Sequence, residues 1–327
     1  MAMVRERRHQ QPLRISPPLP DLHLPPPPSF PFLPFSDLEK LGVIGHGTDA
    51  TVYKARDSHT HSIYALKVLR LGLNSSSDAL RRAAREADIH NHLNSQYVVR
   101  FYGVLAGEDD KLALVMEYMD GGTLEDFIKA RRRPLAEELI AGVARRVLEG
   151  LCYLHDNGVV HRDIKPANLL ISGDGEVKIG DFGASRRVVV AGDVWEACEG
   201  TCAYMSPERM DGEGFGGGGD GGGCPGDVWA LGVVLLECKV GRFPLVAAGE
   251  RPDWATLMCA ACFGEPTPMV PEAASPEFRS FVGRCLEKDW RRRGSARELL
   301  SHPFIIDHVH CQCLLTSYTT TNLSSCF

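Results

Sequence analysis

Two short strings in a fixed order constrain this chain more than any other feature: His161-Arg162-Asp163-Ile164-Lys165-Pro166-Ala167-Asn168 and, eighteen residues after Asp163, Asp181-Phe182-Gly183. Either string alone would be a weak signal. Together, as HRDIKPANLL followed by VKIGDFG, they require a coincidence to explain both strings and their order. They supply a carboxylate, an amide and a second carboxylate. That set suits phosphoryl transfer, which asks the protein for little covalent chemistry. It needs one carboxylate to orient and accept from a substrate hydroxyl, and oxygen ligands for two Mg²⁺ ions. Asp163 fits the first role, and Asn168 and Asp181 fit the second.

The rest of the chain divides by pattern. Residues 1–37 read as a disordered Pro-rich tail, with Pro25 to Pro28 favouring extended polyproline II. Short β-like runs follow at Leu38–Ile44, Ala50–Ala55 and Ser62–Leu69, then an Arg- and Ala-rich helix over Asp78–Leu93. Two further strands are expected at Val98–Val104 and Leu112–Tyr118. After Asp120-Gly121-Gly122 the pattern becomes helical: Ile140, Val143, Val147, Leu151 and Leu154 recur at helical spacing, with Gly158 past the end. A hairpin turns at Gly173-Asp174-Gly175 between Leu169–Ile171 and Val177–Ile179. Helical segments run on from Asp227 to His302. The expected class is α+β: a β-rich lobe over residues 38–119, a helical lobe over 120–304, a cleft between them, and a C-terminal tail over 305–327. The stretch Gly212–Gly226, with Gly216–Gly219 and Gly221–Gly223, reads as a flexible surface insertion.

A nucleotide site is expected at the first strand turn, Ile44-Gly45-His46-Gly47-Thr48-Asp49-Ala50-Thr51-Val52. There Gly45 and Gly47 let the backbone approach phosphates, while a third glycine is replaced by Ala50. The next strand supplies Ala65 and Lys67, the lysine as a point charge for the α- and β-phosphates of ATP. Its carboxylate partner is expected to be Glu86 on the following helix. Asp88, two residues on, is the alternative, though it would face elsewhere. Taken by itself, Glu86 reads better as a solvated partner of Arg82; the neighbouring Lys67 and catalytic loop tip it to the ion pair. Met116, Glu117, Tyr118 and Met119 form the expected adenine-binding connection.

By these motifs the chain resembles a eukaryotic protein kinase from about Leu38 to Phe304, with a bilobal fold. More narrowly it is similar to the mitogen-activated protein kinase kinases. The strings FYGVL, VMEYMDGGTLEDF, HRDIKPANLL, GTCAYMSPERM and DVWALGVVLLE carry that likeness, and LMCAACFGEP resembles the plant members. The resemblance implies an ATP- and Mg²⁺-dependent enzyme that phosphorylates Thr and Tyr in a MAP kinase activation loop, with an upstream kinase of the cascade as a further partner. It implies that Lys165 and Thr201 form the pair that serves Ser/Thr acceptors, and that Glu208 pairs with Arg293. It also makes Arg5, Arg7 and Arg8, followed by Leu13 and Ile15, a docking motif for the MAP kinase: basic side chains for an acidic groove and apolar ones for pockets. A plain basic tip or a nuclear-targeting patch is the other reading of the same residues.

Some positions depart from the family. Its two activation-loop hydroxyl positions hold Ala191 and Ala197, so the usual phosphorylation switch is missing. Asp193, Glu196 and Glu199 either replace part of the phosphate charge near Arg162 or are simply solvated. His90 stands one turn after Glu86 where an apolar residue is expected; it either loosens the active arrangement or packs neutral. Trp290 and Gly294 replace prolines beside Arg293. These departures keep a second function class open: a weakly active or inactive kinase-fold scaffold that docks a MAP kinase.

Composition bounds the partners. A net charge of −6 and a pI near 6.1 argue against a nucleic-acid footprint. The longest apolar run, near Ala230 to Leu236, is too short to span a membrane. With 11 cysteines and no apolar signal segment, reduced thiols in the cytoplasm, with the nucleus as a second compartment, are expected. Cys259 and Cys262 read as a buried helical pair rather than half of a zinc site.

Overall fold

Strand β3 is covered on both faces, which shows how the first lobe is built. In this computed structural model, which describes residues 37–47, 50–69, 77–106, 112–131, 133–188, 201–211, 223–246, 253–264 and 270–308, five antiparallel strands form one sheet in the order β1-β2-β3-β5-β4. They are β1 (Leu38–His46), β2 (Ala50–Asp57), β3 (Ile63–Leu69), β4 (Phe101–Ala106) and β5 (Leu112–Glu117). Successive side chains on a strand point to opposite faces. Ala65, Leu114 and Met116 therefore pack on one face with Val52, while Leu66, Val68, Ala113 and Val115 pack on the other with Tyr53 and Ala55. Lys67 shares the parity of Ala65, which sets it on the face that looks toward the cleft. Register irregularities in β1 fall at Lys40/Gly42 and Val43/Gly45, bending the strand just before its turn.

Helix α1 (Ser77–Asn91) lies against β4 and buries Ala83, Glu86, Ala87, Ile89 and His90. Strand β4 begins at Phe101, three residues later than the pattern suggests. The reason is a competing partner: Val99 N–H donates to Ile179 O at 2.9 Å and Val98 bridges to Ile179. The predicted strand start instead ties the sheet lobe to the helical lobe.

The helical lobe is organised by two helices. Helix α2 (Leu124–Arg131) precedes α3 (Glu137–Asp156), whose Leu139, Ile140, Val143, Val147, Leu151 and Leu154 are buried at 3–4-residue spacing. Gly158 follows it with φ +66°. Then come β6 (Val159–Val160), the hairpin β7 (Leu169–Ile171) and β8 (Val177–Ile179), and β9 (Arg186–Arg187). Helix α4 (Pro207–Met210) leads to α5 (Gly223–Val240), which from Gly226 to Leu236 is buried on every side. A helix apolar all round belongs in a core, and α5 packs against both α3 and α7 (Pro276–Cys285). The contact with α7 is close: a Cβ on Gly232 would lie 2.7 Å from Cys285 Cβ.

Here the glycine-rich reading needs correction. Residues 223–226 form the first turn of α5 rather than loop, and residues 212–222 lie outside the described ones. Each glycine disfavours helix by about 1 kcal/mol, but the tertiary anchoring of Asp227, described below, overrides that local preference. The described residues close with α6 (Trp254–Met258), a wide turn at Cys259–Phe263, α7, α8 (Ala296–Leu299) and α9 (Pro303–Ile306). Asp253 caps α6, Ser275 caps α7, and Ser295 with Glu298 forms a capping box on α8. Among the described residues no group of His, Cys, Asp or Glu is arranged to hold a metal, and no helix is long and apolar enough to cross a membrane.

Candidate active site

A cleft of about 580 Å³ opens between the lobes, a volume in the range of small-molecule sites. Its sheet-side wall holds Ile44, Gly45, His46, Gly47, Ala50, Val52, Ala65 and Lys67. Met116, Glu117, Tyr118 and Met119 follow along the connection between the lobes. Thr48 and Asp49 fall outside the described residues. Thr51 is a correction: it is buried but does not line the cleft. It shares the parity of Tyr53 and Ala55, so strand alternation turns it to the far face of the sheet. The sequence reading missed Leu170, Val99, Ala167 and Asp126, which are also part of the lining. Leu170 was findable, since it lies between Leu169 and Ile171, both fully buried, and so must face the other way.

Lys67 Nζ donates to both Glu86 oxygens, at 2.7 and 2.9 Å, and to Asp181 Oδ1 at 2.8 Å. Asp88, the alternative partner, instead lies near His92 and Arg187. Burial works to discharge Lys67, but the Glu86 and Asp181 carboxylates outweigh it and hold the ammonium above the ordinary lysine range. Burial likewise favours a neutral Asp181, yet Lys67 outweighs it and holds that carboxyl at about 2. Both groups are charged at any physiological pH.

One turn along α1 from Glu86, His90 is 1 % exposed and stacks on Phe101, with centroids 5.2 Å apart. It also meets Phe182 at 4.4 Å, and Phe182 in turn meets His161 at 5.0 Å. Burial pushes the His90 imidazole down to about 4, so the ring is neutral. Its Nε2 bonds to Val99 O at 2.9 Å. Of the two readings open from the sequence, the structure favours the packed ring.

Asp163 accepts four hydrogen bonds from three residues. Thr201 N–H donates to Oδ1 at 2.8 Å; Lys165 Nζ and Asn168 Nδ2 donate to Oδ2 at 2.8 and 3.0 Å; and Asn168 also donates to the Asp163 carbonyl at 2.8 Å. Lys165 Nζ closes the set by donating to Thr201 Oγ1 at 2.6 Å. An ionised carboxylate can only accept, so these contacts fix its orientation. Because Asn168 spends its NH₂ on Asp163, its amide oxygen is left for another partner. That oxygen and the Asp181 carboxylate, 45 % exposed to the cleft, are the hard ligands that suit Mg²⁺.

Asp227 is the functional residue that sequence reasoning passed over. It is 1 % exposed, and its carboxylate accepts from His161 N–H at 2.9 Å, Arg162 N–H at 2.7 Å and His155 Nε2 at 3.0 Å. These bonds hold Arg162 at φ +68°, a left-handed conformation that a non-glycine residue keeps only when its surroundings over-determine it. The available signal was an aspartate at the head of the apolar run from Val228 to Leu236. A buried carboxylate needs compensating donors. Farther out, Arg293 Nη1 and Nη2 grip Glu208 at 2.8 and 2.9 Å, with both side chains 0 % exposed. The tail residues Arg5, Arg7, Arg8, Leu13 and Ile15, the loop alanines Ala191 and Ala197, and the acids Asp193, Glu196 and Glu199 lie outside the described residues.

Comparison with known proteins agrees with this geometry. The protein kinase domain family matches residues 38–305. The chain is 49 % identical to mitogen-activated protein kinase kinase 10 of Arabidopsis thaliana, over 93 % of this chain and 99 % of that protein. It is 50 % identical to mitogen-activated protein kinase kinase 9 of the same plant, over 82 % of this chain and 84 % of that one. Against mitogen-activated protein kinase kinase 7 the identity is 45 %, over 93 % and 99 %.

Proposed function

The chain belongs to the protein kinase family, as a kinase of the plant MAP kinase kinase type, and from that premise we propose that it transfers the γ-phosphoryl of ATP to Thr and Tyr hydroxyls of a MAP kinase. The observation that carries the proposal is that Lys67, Glu86, Asp181, Asn168 and Lys165 line one cleft, with Asp163 hydrogen-bonded to the last two.

In this reading Asp163 orients the attacking hydroxyl and accepts its proton, its own direction set by Thr201, Lys165 and Asn168. Lys165 stands beside Asp163, with Nζ 2.8 Å from its carboxylate, as a fixed cation for the charge that develops there. Lys67, kept charged and immobilised by Glu86, draws the α- and β-phosphates into line. Positioning and fixed charge of this kind account for most of phosphoryl-transfer catalysis. Asn168 and Asp181 would hold Mg²⁺, which neutralises charge on the phosphate oxygens when bound. Ile44, Val52, Ala65, Met116 and Leu170 offer apolar walls for the adenine.

The substrate docks through Arg5, Arg7, Arg8, Leu13 and Ile15, an upstream kinase contributes other input, and the protein works in the cytoplasm and nucleus. With alanine at positions 191 and 197, activity is independent of phosphorylation there. The test is a kinase assay on bacterially produced protein, with a catalytically inactive MAP kinase as substrate. Phosphate on its Thr and Tyr is expected, reduced on the order of 10³-fold in Asp163→Ala. Equal signals from both proteins would sink the reading.

A further inference from the structure

A histidine stands in the core behind the nucleotide cleft, and one of its nitrogens has no partner. His90 is 1 % exposed and lies one turn after Glu86 on the same face of α1. Its ring is nearly parallel to that of Phe101, with 8° between the planes, and it meets the Phe182 ring next to Asp181. Nε2 lies 2.9 Å from Val99 O. A carbonyl only accepts, so the proton of the neutral ring sits on Nε2 and Nδ1 is a bare acceptor. That Nδ1 is buried and has no hydrogen-bond partner. A buried polar atom left unpaired is costly, and an apolar side chain of similar size avoids the cost. Packing alone therefore does not account for a histidine here. The Nε2–H bond is what the ring offers that leucine or phenylalanine does not.

The position of Val99 gives that bond its reach. Val99 N–H donates to Ile179 O, and Ile179 N–H donates to Tyr97 O, both at 2.9 Å. Ile179 ends β8, two residues before Asp181. The carbonyl between them, of Gly180, is held by His161 Nε2 at 3.0 Å. Lys67 Nζ is one link between Glu86 and Asp181. The path from His90 through Val99 to Ile179 is a second link between α1 and the same segment, and it involves no charge.

We propose that His90 is a positioning residue: by donating Nε2–H to Val99 O it latches α1, and with it Glu86, to the segment that carries Asp181. The proposal rests on the kinase reading above. A latch built into the fold needs no phosphate, which suits a chain with alanine at positions 191 and 197. It holds Glu86 against Lys67 before any substrate arrives, so the phosphate site is ordered during folding rather than during the reaction.

The test compares His90→Leu, which fills the site with neither a donor nor an unpaired nitrogen, with His90→Gln, which sets an N–H donor as many bonds from Cβ as Nε2 is. The full-length proteins are read by hydrogen–deuterium exchange and by kinase kinetics. The net worth of one neutral hydrogen bond corresponds to roughly a two- to tenfold change in an opening equilibrium. His90→Leu is therefore expected to exchange about two- to tenfold faster over residues 84–92, with residues 139–154 of α3 unchanged. Its kcat is expected to fall by a similar factor, with KM for ATP altered less than about twofold. His90→Gln is expected to stay within about twofold of wild type on both measures. A residue that only fills space gives the opposite result, since leucine packs there without an unpaired nitrogen: exchange no faster and kcat no lower than wild type. That outcome would overturn the proposal, as would a His90→Gln that behaves like His90→Leu, or faster exchange in α3 as well. His90→Met, which also lacks a donor, decides if His90→Leu does not fold. Exchange needs no turnover, so a silent kinase assay beside the expected exchange pattern would fault the kinase reading and leave the latch standing.

Discussion

Arg293→Met removes a cation from a place where no water can replace it. The guanidinium makes two bonds to Glu208, one to Glu287 O at 2.9 Å and one to Pro225 O at 2.8 Å, and lies 5.2 Å from the Trp229 ring centroid. Both Arg293 and Glu208 side chains are 0 % exposed. Methionine fills much of the volume but leaves the Glu208 carboxylate buried and without its partner, a loss of about 3–5 kcal/mol. For a domain of this size each kcal/mol moves Tm by roughly 2–4 °C, so a drop of about 10 °C is expected by scanning calorimetry. The double variant Arg293→Met/Glu208→Leu separates the causes. Removing both charges should recover more than half of the drop, because an apolar pair of similar volume is often no less stable than the ion pair it replaces. Two carbonyls, of Glu287 and Pro225, stay unpaired in either case and account for the remainder. A single-variant shift under about 2 °C would refute the argument that the pair is buried and exclusive. A double variant no better than the single would assign the loss to those carbonyls and to packing instead.

Three other expectations follow from the same geometry. Lys67→Met should lower kcat by about 10²–10³-fold in a kinase assay, since it removes a preorganised charge from the phosphate site; a loss under tenfold would contradict the ion-pair reading. Gly232→Ala should destabilise by about 1–3 kcal/mol in urea unfolding, because its Cβ would lie 2.7 Å from Cys285 Cβ and 2.8 Å from Leu286 Cδ2; a neutral result would mean that α5 and α7 separate freely. The His155 imidazole titrates at about 10 when folded, against an ordinary value of 6.5. Its contribution is therefore fully present below pH 6.5, where folded and unfolded states both bind the proton, and is lost as pH rises toward 10. The urea midpoint of the wild type should fall across that window more steeply than that of His155→Gln, and parallel slopes would remove His155 as the cause.

How much of this was legible in the sequence depended on how local the determinant was. The β7–β8 hairpin has the residue bounds that its turn glycines and the flanking segments LLI and VKI suggest. Lys67 and Glu86, nineteen residues apart, needed more than pattern: alone, Glu86 reads as a solvated helix residue, and only the neighbouring strings make it the partner of Lys67. Thr51 was misread because a motif was taken as a continuous stretch, whereas a strand shows only alternate residues to any one side. The start of α5 was misread because glycine content is a local statement, and the turn is held by bonds from Asp227 to residues 65 and more positions away.

That last case also explains why the anchor itself was invisible beforehand. Asp227 follows a stretch whose composition says loop, and His155 belongs to a helix whose pattern says core. Nothing local relates them. They meet because Asp227 is buried and must collect donors. It takes two from the backbone of the catalytic loop and a third from the His155 imidazole at the end of α3. One carboxylate thus holds both the imidazole and the two N–H groups that set the catalytic loop, which is why the pH dependence of stability argued for His155 tests the electrostatics of the whole anchor.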